Sequence, residues 1–318
     1  MKKILVLTHE EDPHSVSVCR YFKENGIDFF EVYTDRLIDR YTIKFDSLKR
    51  QFVLSDEERT IVLNRSWNIW NRRVMDPVLP SNVPESLQDI VFTETKRTWE
   101  GLLFSHEGKV INRPQANFSA NNKINQLIFA SKYGGRVLIP ETVLTSKPED
   151  FNEFYRTHER VSFKLQKSAL VQKEDGEFLT TYNNIVTEEQ AKNAQLIRIN
   201  PSLFQEYIEK KYELRITALE KKVVAIAIHS QDSEISKTDF RRYDFEKVGY
   251  EKVDIPDYVS SFCRHMLKHY GLSFGEFDFI LTKDGKYVFL ELNPNGQWLW
   301  LELKSGYNLT KDVAENIL

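Results

Sequence analysis

The chain has 318 residues, enough for two or three packed units, of which 41% are hydrophobic and 29% are charged. This composition is typical of a globular protein and excludes an intrinsically disordered chain. The formal net charge of −3 gives no electrostatic reason to expect a nucleic-acid partner. No apolar run has the length of a membrane span or a secretory signal, so we expect a cytoplasmic protein without a membrane partner. Cys19 and Cys263 match neither a disulfide framework nor a zinc spacing.

The N-terminal part has the pattern of a βαβ unit. Short apolar runs at 4–8 and 29–33 predict buried parallel strands, and the periodicity of 15–25 predicts a helix between them. The turn after the first strand lacks the G-x-G-x-x-G fingerprint that lets a backbone approach a pyrophosphate. We therefore predict a Rossmann-like, doubly wound domain over residues 1–115 that does not bind a nucleotide itself.

A segment rich in tryptophan and arginine follows the strands predicted at 41–52 and 60–63. It carries Trp70 and the adjacent pair Arg72 and Arg73. Two interpretations stay open, since the arginines can bind an anion or a peptide, or Trp70 can face the core while both arginines lie in solvent. A proline-rich loop and a long helix over 83–104 come next.

A second domain is predicted over residues 116–198. It contains a helix at 124–132 preceded by Lys123, a short apolar strand at 161–165 that carries Lys164, a hairpin at 169–181 and a polar helix at 188–194. A lysine on an apolar strand is costly to bury unpaired. Lys164 therefore has an anionic partner, or else it lies on an edge strand and reaches solvent.

The third domain, residues 199–318, ends in a hairpin with three oxygen-bearing side chains. Asp278 lies on its first strand, and Glu291 and Asn293 lie on its second. Carboxylates and amide oxygens are ligands that Mg²⁺ prefers, so the hairpin predicts a magnesium site beside nucleotide phosphates. In the same domain we expect a solvated turn at 209–211, with attraction of an acidic peptide as the alternative role of its two lysines. His265 and His269 are predicted to lie on an exposed helix face, because no acidic residue separates them as in H-E-x-x-H.

The remaining parts of a nucleotide site are carried by side chains in a fixed order along the chain. Lys123 and Lys164 are candidate phosphate-binding cations, and Glu213 is a candidate ligand of ribose hydroxyls. Arg215 shares a strand face with Glu213, since residues two apart point together, and can hold a transferring phosphoryl group. The candidate residues for an adenine slot are Gln205, Glu206, Tyr207 and Ile208.

This order of residues resembles the ATP-grasp superfamily of carboxylate–amine ligases, and most of all the peptide maturases that crosslink microviridin-type peptides, the graspetides. The most specific stretch is 290–298, where the metal-ligand positions lead directly into Asn295-Gly296-Gln297-Trp298. The resemblance covers nearly the whole chain and implies an α/β (α+β) ATP-grasp fold with an N-terminal Rossmann-like pre-ATP-grasp domain. The other supporting stretches are 112–114, 122–123, Trp70 with Arg72 and Arg73, and 239–241.

The resemblance also implies roles for single residues. Asp278, Glu291 and Asn293 would bind Mg²⁺, and Arg241 would lie near the acceptor carboxylate of a substrate peptide. The hairpin at 169–181 and the helix after it would dock the leader segment of a ribosomal precursor peptide, and the protein would be a homodimer. Superfamily members often cover the phosphates with a glycine-rich loop. The corresponding stretch here, 165–168, has no glycine.

The implied enzyme is an ADP-forming ligase that uses ATP and Mg²⁺. It would activate Asp or Glu side chains of the peptide as acyl phosphates and join them to Thr, Ser or Lys side chains, with release of ADP and phosphate. Two alternatives stay open: an ATP-grasp ligase for small amino acids or another metabolite, and a non-catalytic peptide-binding homologue. The sequence leaves open the peptide, the number of crosslinks, and ester or amide chemistry.

Overall fold

The computed structural model describes residues 2–166, 170–172, 178–180, 184–238, 240, 244 and 246–318. Its strands are β1 (Lys3–Thr8), β2 (Phe29–Tyr33), β3 (Thr42–Asp46), β4 (Gln51–Ser55), β5 (Thr60–Leu63), β6 (Trp67–Asn71), β7 (Val110–Ile111), β8 (Val137–Leu138), β9 (Thr142–Thr145), β10 (Val161–Lys164), β11 (Leu170–Gln172), β12 (Phe178–Thr180), β13 (Asn184–Ile185), β14 (Ser202–Glu206), β15 (Tyr212–Leu219), β16 (Val223–Ile228), β17 (Tyr250–Val253), β18 (Phe274–Leu281) and β19 (Tyr287–Asn293). Its α-helices are α1 (Pro13–Glu24), α2 (Leu37–Arg40), α3 (Glu85–Ser105), α4 (Pro114–Ala120), α5 (Lys123–Tyr133), α6 (Pro148–Thr157), α7 (Glu188–Lys192), α8 (Asp257–Tyr270), α9 (Leu299–Ser305) and α10 (Leu309–Ile317).

The N-terminal sheet is parallel, with strand order β2-β1-β6-β7. Asp12 begins α1 by accepting a hydrogen bond from the His14 backbone amide, and a proline follows in the first turn. The predicted βαβ unit is therefore confirmed. The stretch predicted as strand over 41–52 forms two strands, β3 and β4, because the chain turns at 47–50 before pairing back on itself.

The C-terminal sheet has the order β17-β16-β15-β18-β19-β8, and the central strands β15 and β18 pair over their full lengths. Its two faces differ because side chains alternate along a strand. Leu214, Ile216, Phe277 and Phe279 face one way and pack in one core cluster with Phe262 of α8. The opposite face carries the polar side chains of β15, β18 and β19, so this sheet presents a wall of ionisable groups.

A smaller antiparallel sheet, β13-β10-β14-β9, lies in the middle of the chain and packs on α6. Beside it in sequence, β11 and β12 pair antiparallel, as the predicted hairpin requires. Positions 169, 173–177 and 181 of that hairpin lie outside the described residues. Within the described part of the chain, no helix has both the length and the apolar character needed to cross a membrane.

The N-terminal sheet and the C-terminal part of the chain share one hydrophobic cluster. Ile4 and Trp70 of the sheet pack in it with Trp298 and with Leu309 of α10. Trp70 and Trp298 are 3% and 0% exposed, so both tryptophans serve packing. This shared core brings the end of β6 next to the segment that follows β19.

Candidate functional site

The polar face of the C-terminal sheet brings Arg215, Asp278 and Glu291 side by side. In the strand register Arg215 is opposite Asp278, and Asp278 is opposite Glu291. Directly opposed residues of antiparallel strands project from the same face, so three neighbouring strands place charged groups at one level. A register shift follows Asp278, and such bulges are common beside active sites.

Arg215 is held by two carboxylates. Its Nη1 donates to Asp278 Oδ1 at 2.5 Å, and its Nε donates to Glu276 Oε2 at 3.1 Å. Burial alone would lower the pKa of Arg215, but the charges of Asp278 and Glu276 raise it. Glu276 is fully buried and also accepts a hydrogen bond from Thr217, at 2.8 Å. Burial raises the pKa of Glu276 to about 7, even though the charge of Arg215 acts against this shift.

Lys123 is fixed against Glu291 by the packing of α5. The Lys123 Nζ lies 2.7 Å from Glu291 Oε2. Three residues further along the helix, Gln126 bonds both backbone groups of Leu292, donating to its carbonyl at 2.7 Å and accepting from its amide at 2.8 Å. Gln126 therefore makes with Leu292 the two hydrogen bonds that a residue of a neighbouring strand would make. These bonds join α5 to β19 and place the start of the helix beside Glu291.

Glu213 has a buried partner that the sequence did not indicate. Lys210 Nζ lies 2.6 Å from Glu213 Oε1 and 3.2 Å from the carbonyl oxygen of Thr238. Lys210 is only 2% exposed. The prediction of a solvated turn at 209–211 is therefore wrong for this residue, because its ammonium turns inward to the carboxylate rather than outward to water.

A cleft opens between the C-terminal sheet and the central sheet. Most of the residues predicted from the sequence for nucleotide and metal binding line it, together with Ser162, Lys210 and Thr238. The predicted residues in its lining are Lys164, Gln205, Glu206, Tyr207, Ile208, Glu213, Asp278 and Glu291. Arg215 and Lys123 reach the cleft lining through their ion pairs with Asp278 and Glu291.

The stretch predicted as an adenine slot lies at the end of β14 and just beyond it. Gln205 Nε2 donates to Thr142, while its Oε1 is buried and has no hydrogen-bond partner among the described residues. Glu206 accepts from the backbone amide of Glu141, and the ring of Tyr207 lies 3.9 Å from the guanidinium of Arg160. The buried Gln205 oxygen is an acceptor that the amino group of a bound base can satisfy.

Lys164 lies on β10, which pairs with β13 on one side and β14 on the other. The interpretation as an edge-strand lysine is therefore wrong. Asn293 is opposite Glu276 in the register, and its Oδ1 accepts a hydrogen bond from the Asn295 amide at 3.0 Å. Arg241 and residues 167–169 lie outside the described residues. His265 and His269 are exposed on α8, as expected.

The three predicted metal ligands fit Mg²⁺ by their chemistry. Asp278 and Glu291 are paired neighbours, and Asn293 is two residues beyond Glu291 on the same face, so all three offer hard oxygen donors. Each carboxylate is also paired with a cation, Arg215 or Lys123. Across the described residues, no group of three or more His, Cys, Asp and Glu side chains is placed to hold a metal ion, so the set depends on the amide of Asn293.

The end of β6 contributes a residue whose position differs from both interpretations of its segment. Arg72 is 1% exposed, stacks on Trp298 at 4.8 Å and donates to Asp12 at 3.2 Å. Burial lowers the pKa of Arg72 to about 10. It therefore lies neither in solvent nor on a surface that an anion or a peptide can reach, whereas the adjacent Arg73 is exposed.

Comparison with known families places this geometry in context. A family model described as a RimK-like ATP-grasp domain matches residues 120–317. The chain belongs to the ATP-grasp family. A model described as an MvdD pre-ATP grasp domain matches residues 3–117. The predicted ATP-grasp fold with an N-terminal pre-ATP-grasp domain is confirmed. A comparison with curated proteins found no match.

Solved structures of other ATP-grasp enzymes superpose on this ATP-grasp chain over nearly its full length. A RiPP-associated ATP-grasp ligase of Chryseobacterium gregarium, in complex with ADP and a leader and core peptide, is 27% identical, with a TM-score of 0.89 over 99% of this chain and 96% of that one. Macrocyclase MdnC of Microcystis aeruginosa MRC, bound with precursor peptide MdnA, is 25% identical, with a TM-score of 0.85 over 98% of each chain. Macrocyclase MdnB from the same organism is 27% identical, with a TM-score of 0.78 over 100% and 99%. These likenesses confirm the predicted resemblance to peptide-maturing ATP-grasp enzymes.

Sequence reasoning missed several polar residues of this ATP-grasp site. The signal for Glu276 was present, because it precedes Asp278 by two on the same strand and must share its face. Lys210 and Gln126 gave no comparable signal, and nothing in the sequence indicated that Arg72 is buried. Their roles depend on partners in other elements: Glu213, Leu292 and Asp12.

Proposed function

We propose that this protein is an ATP-dependent, ADP-forming ligase that crosslinks side chains of a ribosomal precursor peptide. One observation carries the proposal: two ion pairs lie side by side at the cleft. Arg215 is paired with Asp278, and Lys123 is paired with Glu291 on the neighbouring strand. The likeness to ligases and macrocyclases solved with ADP or precursor peptides supports a peptide as the substrate. We expect Asp or Glu side chains as acceptors and Thr, Ser or Lys side chains as nucleophiles.

The cofactors in this proposal are ATP and Mg²⁺. When bound, Mg²⁺ would neutralise and orient phosphate oxygens, held by Asp278, Glu291 and Asn293. Lys123 and Lys164 bind phosphates. The base contacts Gln205, Glu206, Tyr207 and Ile208, and Glu213 binds ribose hydroxyls. The buried acceptor Gln205 Oε1 supports the placement of the base.

The chemistry has two steps that the protein promotes by positioning and charge neutralisation. A peptide carboxylate oxygen attacks the γ-phosphorus of ATP, the bond to the β–γ bridging oxygen breaks, and ADP leaves. Arg215 stabilises the charge on the transferring phosphoryl group. A hydroxyl or amine of the same peptide then attacks the acyl carbon, loses its proton and expels phosphate. The product is an ester or an amide, and the peptide has lost one water.

Recognition of the peptide is proposed for the central domain and for Arg241. The predicted leader-docking region includes the β11–β12 hairpin and α7. Glu189 and Gln190 of α7 line a groove together with apolar side chains of the central sheet. Leu196 and Ile199 in the same region are 67% and 80% exposed, which supports a protein or peptide contact there. Arg241 is proposed to bind the acceptor carboxylate. Homodimer formation, cytoplasmic location and domains at 1–115, 116–198 and 199–318 remain proposals.

The test uses a short peptide encoded beside the gene, with repeated Thr and Glu or Asp in its C-terminal half. Incubation with the protein, ATP and Mg²⁺ should release ADP and lower the peptide mass by one water per crosslink. Lys164→Ala and Asn293→Ala should each abolish both signals in folded protein. An unchanged peptide mass, together with ADP release on free amino acids, would instead identify a metabolite ligase.

A further inference from the structure

Residues 293–299 run from the last residue of β19 to the first residue of α9, and several side chains from the N-terminal part of the chain bond their backbone. We call this segment the Asn293 turn. Arg72 Nη1 donates to the carbonyl oxygens of Asn295 and Gly296, at 3.0 and 2.8 Å. These two hydrogen bonds join the residue that follows β6 to the turn, although 223 and 224 positions of sequence separate the partners.

Two further side chains bond the backbone of the Asn293 turn. Asn112 Nδ2 donates to the carbonyl oxygen of Pro294 at 3.0 Å, and His14 Nε2 accepts from the amides of Trp298 and Leu299 at 3.2 and 3.3 Å. An accepting Nε2 leaves the proton of a neutral imidazole on Nδ1. The His14 ring therefore donates from Nδ1 to Asp12, at 3.0 Å.

Asp12 links the two main contacts. It accepts from His14 at one carboxylate oxygen and from Arg72 Nε at the other, at 3.0 and 3.2 Å. All three residues are less than 5% exposed, so these bonds lie away from competing water. We call Asp12, His14 and Arg72 the junction cluster. Its residues lie at the start of α1 and directly after β6. Arg72 Nη1 and His14 Nε2 are the atoms of this cluster that bond the turn.

The other side of the Asn293 turn contacts the site. The Asn295 amide donates to Asn293 Oδ1, which orients the side chain proposed to bind Mg²⁺. Gly296 lies directly on the side chain of Glu276, which holds Arg215. One short turn therefore has the junction cluster on one side and both the amide ligand and the arginine support on the other.

We propose that Arg72 is a positioning residue for the magnesium site, because its two bonds to the Asn293 turn fix the orientation of the Asn293 amide. The inference rests on the magnesium ligands of the proposed function. It assigns the pre-ATP-grasp domain a part in metal binding although that domain supplies no ligand. Outer partners of metal ligands commonly affect affinity by about 10-fold to 100-fold.

The experiment measures ADP binding by calorimetry in the full-length protein, with and without Mg²⁺ and without peptide. Arg72→Lys keeps the charge but cannot donate through a planar fork to Asp12 and two carbonyls at once. We expect it to weaken Mg²⁺-dependent ADP binding by about 10-fold or more, with Mg²⁺-free ADP binding within about twofold of the wild type. The matched control is Arg73→Lys, the exposed neighbour, which should bind as the wild type does.

A second readout separates positioning from general destabilisation. Hydrogen exchange should accelerate in a peptide covering 293–299 of Arg72→Lys, while a peptide from α8 keeps its wild-type rate. If Arg72→Lys does not fold, Asn117→Ala is the substitute variant. It removes a weaker hydrogen bond to the turn, from Asn117 Nδ2 to Asn295 Oδ1 at 3.3 Å, and should also weaken Mg²⁺-dependent ADP binding.

Three outcomes would overturn the inference. The first is that folded Arg72→Lys binds ADP in the presence of Mg²⁺ as the wild type does. The second is that this variant loses ADP affinity equally with and without Mg²⁺. The third is that Mg²⁺ does not change the ADP affinity of the wild type. Failure of the ligase proposal is a separate result, because it would appear as absent peptide-dependent turnover in a wild type that still binds ADP with Mg²⁺.

Discussion

Two clusters of charged side chains lie on opposite sides of the Asn293 turn, and they differ in burial and in what their charges contact. In the junction cluster, Arg72 is shared between Asp12 and backbone carbonyls, and no part of it opens to the cleft. In the site cluster, Asp278 and Glu291 line the cleft while each is paired with a cation, Arg215 or Lys123. The first arrangement fixes the backbone. The second leaves charged groups on the cleft, where the proposed Mg²⁺ and phosphates would replace their present ion-pair partners.

The largest expected effect comes from breaking the junction cluster. Arg72→Met leaves Asp12 buried without its cation and two carbonyls without a donor, so the free energy of unfolding should fall by about 3–5 kcal/mol. Urea unfolding measures this change. Arg73→Met is the matched control and should stay within about 0.5 kcal/mol of the wild type. A loss of the same size in both variants would contradict a specific role of the buried arginine.

The next effect tests the site cluster. Glu291→Gln removes a charge that the proposal assigns to Mg²⁺, and it leaves the shape of the side chain nearly unchanged. Peptide-dependent ADP release should fall roughly 100-fold to 1000-fold, with little change in the unfolding temperature. Glu57→Gln, in the exposed turn between β4 and β5, serves as the control. Turnover at the wild-type rate by Glu291→Gln would exclude this residue from the reaction.

The pH dependence of stability distinguishes the junction cluster further. Burial alone would raise the pKa of Asp12, but the hydrogen bond from His14 and the charge of Arg72 hold it well below its usual range. A depressed pKa adds stability above the unfolded-state pKa near 4, and this contribution is lost as the pH falls through the folded-state value. The stability gap between wild type and Asp12→Asn should be about 2–3 kcal/mol near pH 7 and shrink towards about pH 3. Urea unfolding across this range measures it, and a gap that widens in acid would contradict the assignment.

The smallest effect probes the contact between the turn and the site. A Cβ at Gly296 would overlap Cβ and Cγ of Glu276 and approach Arg215 Nη2 at 2.9 Å. Gly296→Ala should therefore cost about 1–3 kcal/mol of stability, together with a loss of ADP release. Gly101→Ala on α3 has open space at the same atom and should stabilise the helix by about 1 kcal/mol. Equal changes in stability and ADP release in the two variants would show that the turn is not in close contact with the side chain of Glu276.

Local sequence patterns were sufficient for most of the elements and for one face of the site. Alternation along the hairpin predicted that Asp278, Glu291 and Asn293 share one face, because a strand has a period of two and the hairpin sets the register. The pairing of Arg215 with Asp278 was not predicted and depends on how β15 pairs with β18. The helix predicted at 124–132 is present as α5. The lysine at 164 was placed on the correct strand, but its neighbours across the sheet were not deducible.

The sequence alone therefore determined the order of the candidate phosphate cations, the charged strand face and the ATP-grasp resemblance, all of which depend on local periodicity and motif spacing. Tertiary structure decided that Lys210 turns inward to Glu213 and that Arg72 is buried. It also decided that the N-terminal sheet holds the Asn293 turn. These outcomes depend on which groups lose their water when separate parts of the chain pack together. A buried arginine or lysine then requires partners whose positions no local pattern encodes.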